Sequence, residues 1–336
     1  MEADVRPRGA QASVPVVGRQ EAVFDDVSGN RLGRCVAVSA DGATVAALAS
    51  IAPAKLYVYT RSGSTWAQQA ELSGLFAPDT SGRLWLSADG NTLLATNSSG
   101  KPVVLFRAGS TWSLQYTAAA TATPVGLSAN GSTMWAYAAG TLYTYTRSGS
   151  TWSGPTSTAL SGALSTIDAA EMSRDGTVLV LAYSSDGSYG SGAGKAQIWR
   201  YAGSWSMQTL APPYPTTSGG FGQDVAVSDD GSRVAIGAYL TSPSTAPHGY
   251  LYLRSGASYA LEFTQAAGLP LAISGTGGAA IFGAAVCLRL GSWSVYGTLT
   301  GQRATPTSAR LTPDGQRAVV GSYDSSDYGR VQMFGV

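Results

Sequence analysis

FGQDVAVSDDGSRVAIGAYLTSPSTAPHGYLYLRSGASYALEF, residues Phe221 to Phe263, is the stretch whose reading decides the fold. Val225-Ala226-Val227-Ser228 is an apolar run with β-branched residues and reads as a strand, A. Asp229-Asp230-Gly231-Ser232 is turn chemistry between two such runs. Arg233 to Tyr239 reads as strand B, and a loop carrying Pro243, Pro247 and His248 follows. Tyr250 to Arg254 alternates aromatic and aliphatic residues and reads as strand C. Ser255-Gly256-Ala257 turns the chain again, and Tyr259 to Phe263 is strand D. The unit is one four-stranded antiparallel meander.

The unit recurs along the chain. Its A–B turn appears as Ser39-Ala40-Asp41-Gly42, Ser87-Ala88-Asp89-Gly90, Ser128-Ala129-Asn130-Gly131, Ser173-Arg174-Asp175-Gly176 and Ser228-Asp229-Asp230-Gly231. Ser274-Gly275-Thr276-Gly277 is a worn copy and Thr312-Pro313-Asp314-Gly315 is the last. A second marker between strands C and D keeps step with the first. It is Gly63-Ser64-Thr65-Trp66, then Gly109 to Trp112, Gly149 to Trp152, Gly203-Ser204-Trp205, Gly256 to Tyr259 and Gly291-Ser292-Trp293.

There are seven A–B turns but six C–D turns, because the last copy ends after a strand C at Arg330 to Phe334. The first copy is preceded by a spare strand, Gln20 to Phe24. Phe24 lies as far before Ser39 as Leu72, the end of the first strand D, lies before Ser87. The spare strand therefore stands where a strand D belongs. The economical arrangement is a ring in which the N-terminal strand completes the blade begun at the C-terminus. The expected fold is all-β: a seven-bladed β-propeller of four-stranded antiparallel blades. Closure also removes most exposed sheet edges, which otherwise template aggregation. Residues 1–18 read as an N-terminal arm and 19–336 as a single propeller. The blades fall near 34–72, 84–116, 125–160, 171–210, 224–263, 271–299, and 308–336 plus 20–24.

Composition narrows the function. Charged residues make up 12% of the chain, glycines number 42, and the net charge is +1, so nothing favours electrostatic capture of nucleic acid or an acidic membrane. Three lysines among the 21 basic residues read as coding bias rather than phosphate binding. No run of 18 apolar residues suggests a membrane span. Met1-Glu2-Ala3-Asp4-Val5-Arg6 lacks the apolar core of a secretory signal, so a chain used inside a cell, one assembled into a particle, and one trimmed of a leader stay open. Cys35 and Cys287 fall on blades 1 and 6, with blade 7 between them, and read as buried free thiols. With one histidine and no Cys/His spacing, no metal site or cofactor is expected.

In a meander, the A–B and C–D turns lie on one face of the ring and the B–C and D–A connections on the other. The first face is uniform. The second varies, with long B–C loops at Ser184 to Gly194, Leu240 to Gly249 and Asp324 to Gly329, and a D–A loop from Ala211 to Gly220. Variable loops on a rigid scaffold are the usual place for binding. Tyr183, Tyr189, Tyr214, Tyr239, His248, Tyr323 and Tyr328 lie in or beside these loops and are the candidate binding residues. The recurring tryptophans, by contrast, are expected to pack between blades.

The repeat resembles the FG-GAP, or integrin-alpha-like, propeller repeat. Blade 5 carries the resemblance best, with Phe221-Gly222, then Val225-Ala226-Val227-Ser228, then Gly237-Ala238-Tyr239 in the place of Gly-Ala-Pro. Blade 7 keeps Gly321-Ser322-Tyr323 there, and the TRSGSTW phrase at Thr60–Trp66 and Thr146–Trp152 is similar to stretches of microbial and viral members. Members that bind calcium carry a DxDxDG-type run in the A–B turn, and these turns are too short and too poor in acids for it. The Gly-x-Thr-Trp ending also resembles the tail of the sialidase Asp-box, but Tyr59 and Arg61 stand where its Ser and Asp would fall.

No catalytic constellation is legible. Asp186, Asp324 and Asp327 lie in Ser- and Gly-rich loops and read as turn caps rather than as the facing carboxylates of a glycosidase. Gly187 to Gly194 lacks the Lys-Thr ending and following helix of a phosphate loop. The sequence points to a non-enzymatic interaction module presenting the loops of blades 4, 5 and 7 to a protein partner or a surface glycan. A structural or surface component of a virus particle is the favoured setting, with the N-terminal arm docking on other virion proteins. A bacterial surface or secreted adhesin is the alternative, and a carbohydrate-active propeller enzyme is the rival class.

Overall fold

A computed structural model describes all residues except 1–17, 26–28, 52, 77–82, 216, 240–246 and 303. The described residues form seven four-stranded antiparallel sheets and no helix. In blade 5 the strands run Val225–Val227, Arg233–Ala238, His248–Ser255 and Ser258–Gln265, paired in sequence order. Strands A touch one another right around the ring and line a central bore. Strands D form the outer rim and carry the exposed residues, as in Thr65–Ser73 of blade 1.

The seventh blade confirms the closure. Pro306–Leu311, Arg317–Tyr323 and Gly329–Gly335 are its strands A to C, and Arg19–Asp25 pairs outside Gly329–Gly335 as strand D. Phe24 lies opposite Val331 and Asp25 opposite Arg330. Of the expected arm, residues 1–17 lie outside the described residues, as does most of the expected blade 5 loop. Gly18 donates its N–H to the Gly335 carbonyl at 2.9 Å.

The core lies between blades, not within them. Successive side chains on a strand point to opposite faces, and both faces of each blade are covered by neighbours. Strand B of blade 4, Val178–Tyr183, is accordingly apolar and buried at all six positions. Val178, Val180 and Ala182 enter the gap to blade 5, while Leu179, Leu181 and Tyr183 enter the gap to blade 3. Seven such clusters fill the seven gaps. Each large aliphatic side chain buried this way contributes roughly 1.5–3 kcal/mol, and no blade can bury both faces alone.

The two repeated turns are inter-blade devices. In five of the seven A–B turns the Ser or Thr hydroxyl donates to the aspartate two residues on and accepts a backbone N–H five residues on, as Ser39 does with Asp41 at 2.6 Å and with Thr44 at 2.9 Å, and Asn130 takes the aspartate's part in blade 3. Adjacent turns are tied by backbone bonds, Ala40 to Ala88, Ala88 to Ala129 and Asp229 to Gly275 among them.

The C–D turns lean on the preceding blade's strand D. Trp112 Nε1 donates to Gln69 at 3.0 Å and Trp152 Nε1 to Gln115 at 2.9 Å, and both rings are buried. This is the inter-blade packing expected of the tryptophans. Arg107 and Arg147 reach the same two glutamines, each at 3.4 Å. At the closure Glu21 takes the glutamine's place, 4.0 Å from Arg61, and Phe24 packs edge-on against Trp66. The N-terminal strand thus repeats the side-chain pattern of an ordinary strand D as well as its backbone.

Cys35 and Cys287 are buried and not joined in a disulfide, in strand A of blade 1 and strand C of blade 6 as expected. Burial pushes the Cys35 thiol up to about 11 and the Cys287 thiol up to about 12, which makes both poor nucleophiles.

Candidate functional site

The variable face is ordered by its own backbone bonds. Ser218 donates to Ser191 at 2.7 Å, Gly220 to Gly192 at 3.0 Å and Phe221 to Ala193 at 3.0 Å, so the blade 4 B–C loop and the blade 4 to 5 connection are zipped together. Gly194 permits the approach: its φ is +84°, and a Cβ there would meet the Phe221 backbone. Gln223 adds a side-chain bond to Ser184 at 3.1 Å.

Tyr189 and Tyr214 stand on the two zipped loops and are exposed, as is Tyr239 at the end of strand B of blade 5. Tyr239 is tied to the same assembly through its N–H to the Gly219 carbonyl at 3.1 Å. His248 opens strand C instead of lying in a loop, since it pairs with Ala238, and its ring stacks on Tyr250. Tyr323 and Tyr328 stand apart, at the join of blades 7 and 1. There the Arg31 guanidinium lies over the Tyr323 ring, 5.3 Å from its centroid, and pairs with Asp327 at 2.5 Å. Tyr183 differs from the others. It is 3% exposed, packed in the gap between blades 3 and 4, and its hydroxyl donates to Gln197 at 3.0 Å and accepts from the Leu164 N–H at 3.2 Å. Its place at the end of strand B, where the alternation sends it inward, explains why loop proximity misplaces it.

The loop acids act as turn caps and pairs. Asp186 accepts from the Ser188 N–H at 2.8 Å and pairs with Lys195 at 2.9 Å. Burial opposes its ionisation, but these partners outweigh burial and hold its carboxyl below the ordinary range. Asp324 accepts from the N–H groups of Ser326 and Tyr328 at 2.9 and 3.1 Å.

What sequence reasoning missed is the bore. On the variable face it opens as a cavity of about 320 Å³, lined by the starts of strands A and the residues before them. Arg83 of blade 2 crosses the bore to Glu171 of blade 4 at 2.7 Å, to the Val225 carbonyl of blade 5 at 2.8 Å and to Asp224. The second Asp224 oxygen accepts the Leu271 N–H at 2.9 Å. Burial opposes the charge on Arg83, yet the Asp224 and Glu171 carboxylates outweigh it and hold the guanidinium above its ordinary range. Farther along, Arg174 lies 3.5 Å from Asp229. Burial pushes the Asp229 carboxyl up against the pull of Arg174, and burial lowers Arg174. A signal for this network was present: in a chain with 12% charged residues, Arg34, Glu171 and Arg310 stand inside apolar strands A, and Arg83 and Asp224 immediately before them.

Ring, closure and bore define the fold as a seven-bladed β-propeller. No protein-family model and no curated protein matches the sequence, so the FG-GAP likeness is one of pattern. Among solved structures the chain is similar to a chain of the "Crystal Structure of Mitotic Checkpoint Complex", with a TM-score of 0.64 and 15% identity over 100% of this chain and 97% of that one. At that identity the likeness shows the fold. Among the described residues no helix is long and apolar enough to cross a membrane.

Proposed function

We propose that this propeller is a non-enzymatic interaction module that holds a protein partner on its variable face. One observation carries the reading: Tyr189 and Tyr214 are exposed on two loops that hydrogen bonds have zipped together on the ring, and exposed Tyr239, at the end of a strand, is bonded to the same assembly. Tyrosine gives large contact area at low entropic cost, and a preordered loop loses little further freedom on binding. The structural neighbour is named for a complex, which agrees with protein partners. The loop carboxylates are committed to turn caps and Lys195, which supports binding rather than hydrolysis. Within this reading the favoured setting is a structural or surface component of a virus particle, supported by the low charge and the Gly-rich composition. An adhesin binding surface glycans is the second setting, supported by exposed aromatic faces beside Ser and Asp.

The test is affinity purification with the chain as bait, followed by titration of the recovered partner. Tyr189→Ala with Tyr214→Ala is expected to weaken binding at least about tenfold, as truncation of interface tyrosines does, with an unchanged circular dichroism spectrum. Arg61→Ala with Arg147→Ala, on the uniform face, is expected to leave affinity unchanged. The reverse ranking would place recognition on the opposite face.

A further inference from the structure

The mouth of the bore is unequal from side to side. Arg34 and Arg310, from the adjacent blades 1 and 7, line the cavity on one side. Arg34 makes no side-chain hydrogen bond or ion pair with the described residues, although it lines a cavity in the middle of the ring. Arg310 is only loosely engaged: one nitrogen donates to the Ala309 carbonyl at 3.1 Å and another lies 3.8 Å from Glu171. The third arginine of the cavity, Arg83, is already paired with Glu171 and Asp224 and also donates to the Val225 carbonyl. Arg34, Arg310 and Arg83 all line this one cavity.

The other lining groups are acceptors and apolar surface. Thr307 and Ser308 spend their hydroxyl hydrogens on the Gly33 carbonyl, at 3.2 and 2.8 Å, which leaves their oxygens free to accept. Asp168 uses one oxygen for the Ser184 N–H and hydroxyl, at 2.6 and 2.9 Å, and its second oxygen is not engaged by the described residues. Asp224, the other carboxylate of the lining, is neutralised by Arg83. Tyr239, Leu269 and Pro270 supply the apolar part.

We infer that the bore mouth is a binding site for a small hydroxylated carboxylate of the sugar-acid class. The Arg34 and Arg310 forks take the carboxylate, since planar guanidinium groups match carboxylate geometry. Thr307, Ser308 and Asp168 accept from ligand hydroxyls, and the Tyr239 ring and Pro270 cover the apolar face of the sugar. A cavity of about 320 Å³ suits a monosaccharide and lies at the small end of ordinary ligand pockets. The site shares Tyr239 with the loop-face reading, but Tyr189 and Tyr214, whose substitution tests that reading, are not among the residues that line the cavity, so the two can fail separately.

The experiment is calorimetric titration of the full chain with glucuronate, glucose and inorganic phosphate, with melting of the unliganded protein as the folding control. Glucuronate is expected to bind saturably and more weakly as salt rises, glucose not to bind, and phosphate to bind more weakly than glucuronate. Arg34→Gln is expected to melt as the wild type does and to weaken glucuronate at least about tenfold, the loss of a charge-assisted pair of hydrogen bonds. Arg310→Gln gives a second reading should Arg34→Gln fail to fold. Absence of saturable glucuronate binding, equal binding of glucose, equal or tighter binding of phosphate, or unchanged affinity in both folded variants would each overturn the assignment.

Discussion

Arg83 shows how much one side chain can carry in a ring. It starts beside strand A of blade 2 and ends on blades 4 and 5, so it links parts of the molecule that share no sheet. Buried ion pairs add little net stability compared with apolar packing, but removing one partner strands the other charges. Arg83→Met leaves Glu171 and Asp224 facing each other without their shared counter-ion. A loss of about 3–5 kcal/mol in denaturant unfolding is expected, the usual magnitude for a broken buried pair. Adding Glu171→Gln to that variant is expected to restore part of it, because one stranded charge is gone. A loss below about 1 kcal/mol would mean that the pair behaves like a solvated surface bridge. This network was half legible in the sequence. Charged residues within apolar runs flag an unusual position, but hydrophobic alternation says only that a strand is covered on two faces. It does not say which of four strands borders the bore, and that knowledge needs the ring.

At the scale of the element, the A–B turn does two jobs that separate cleanly. Gly131 has a φ of +66°, and a Cβ on it would lie 2.6 Å from Thr92 Oγ1 of the preceding blade. Gly63, in a C–D turn, has a φ of +60° and open space around it. Alanine at either position meets the left-handed backbone cost of about 1–2 kcal/mol. Only Gly131→Ala also pushes into a neighbouring blade, so a further 1–3 kcal/mol is expected, as for overpacking elsewhere. Paired urea titrations of the two variants measure the difference, and equal losses would show that the belt of turns yields freely. The turn itself was plain from Ser-x-Asp-Gly. Its interlock with the next blade was not, because nothing local distinguishes a glycine needed for its φ from one needed for room. Tyr183 failed in the same way: nearness to a loop in sequence said nothing about the inward side of strand B.

For the whole molecule, closure is the feature that the sequence predicted most fully, from the mismatch between seven A–B turns and six C–D turns. Its test is a pair of truncations. Removing residues 1–24 takes Glu21 and Phe24 away from Arg61, Arg317, Tyr59 and Trp66 and bares the outer edge of Gly329–Gly335. A large drop in melting temperature, or aggregation through that edge, is expected. Removing residues 1–17 is expected to leave the melting temperature nearly unchanged, because the paired strand begins at Arg19. Similar behaviour of the two would refute closure by this strand.

The same pairing sets a timetable for the ribosome. Phe24 leaves the exit tunnel early, yet its partner Val331 is added 307 residues later. At ordinary elongation speeds of about 5–20 residues per second, the first strand waits roughly 15–60 s for the last. Six blades can stack in order meanwhile, each on the one before, while the opening strand travels alone. Its start, Arg19-Gln20-Glu21, is polar where strand B of blade 4 is wholly apolar. Such residues hinder pairing with a stranger during that interval. The charge that fastens Glu21 to Arg317 in the finished ring thus also serves as a guard on the nascent chain.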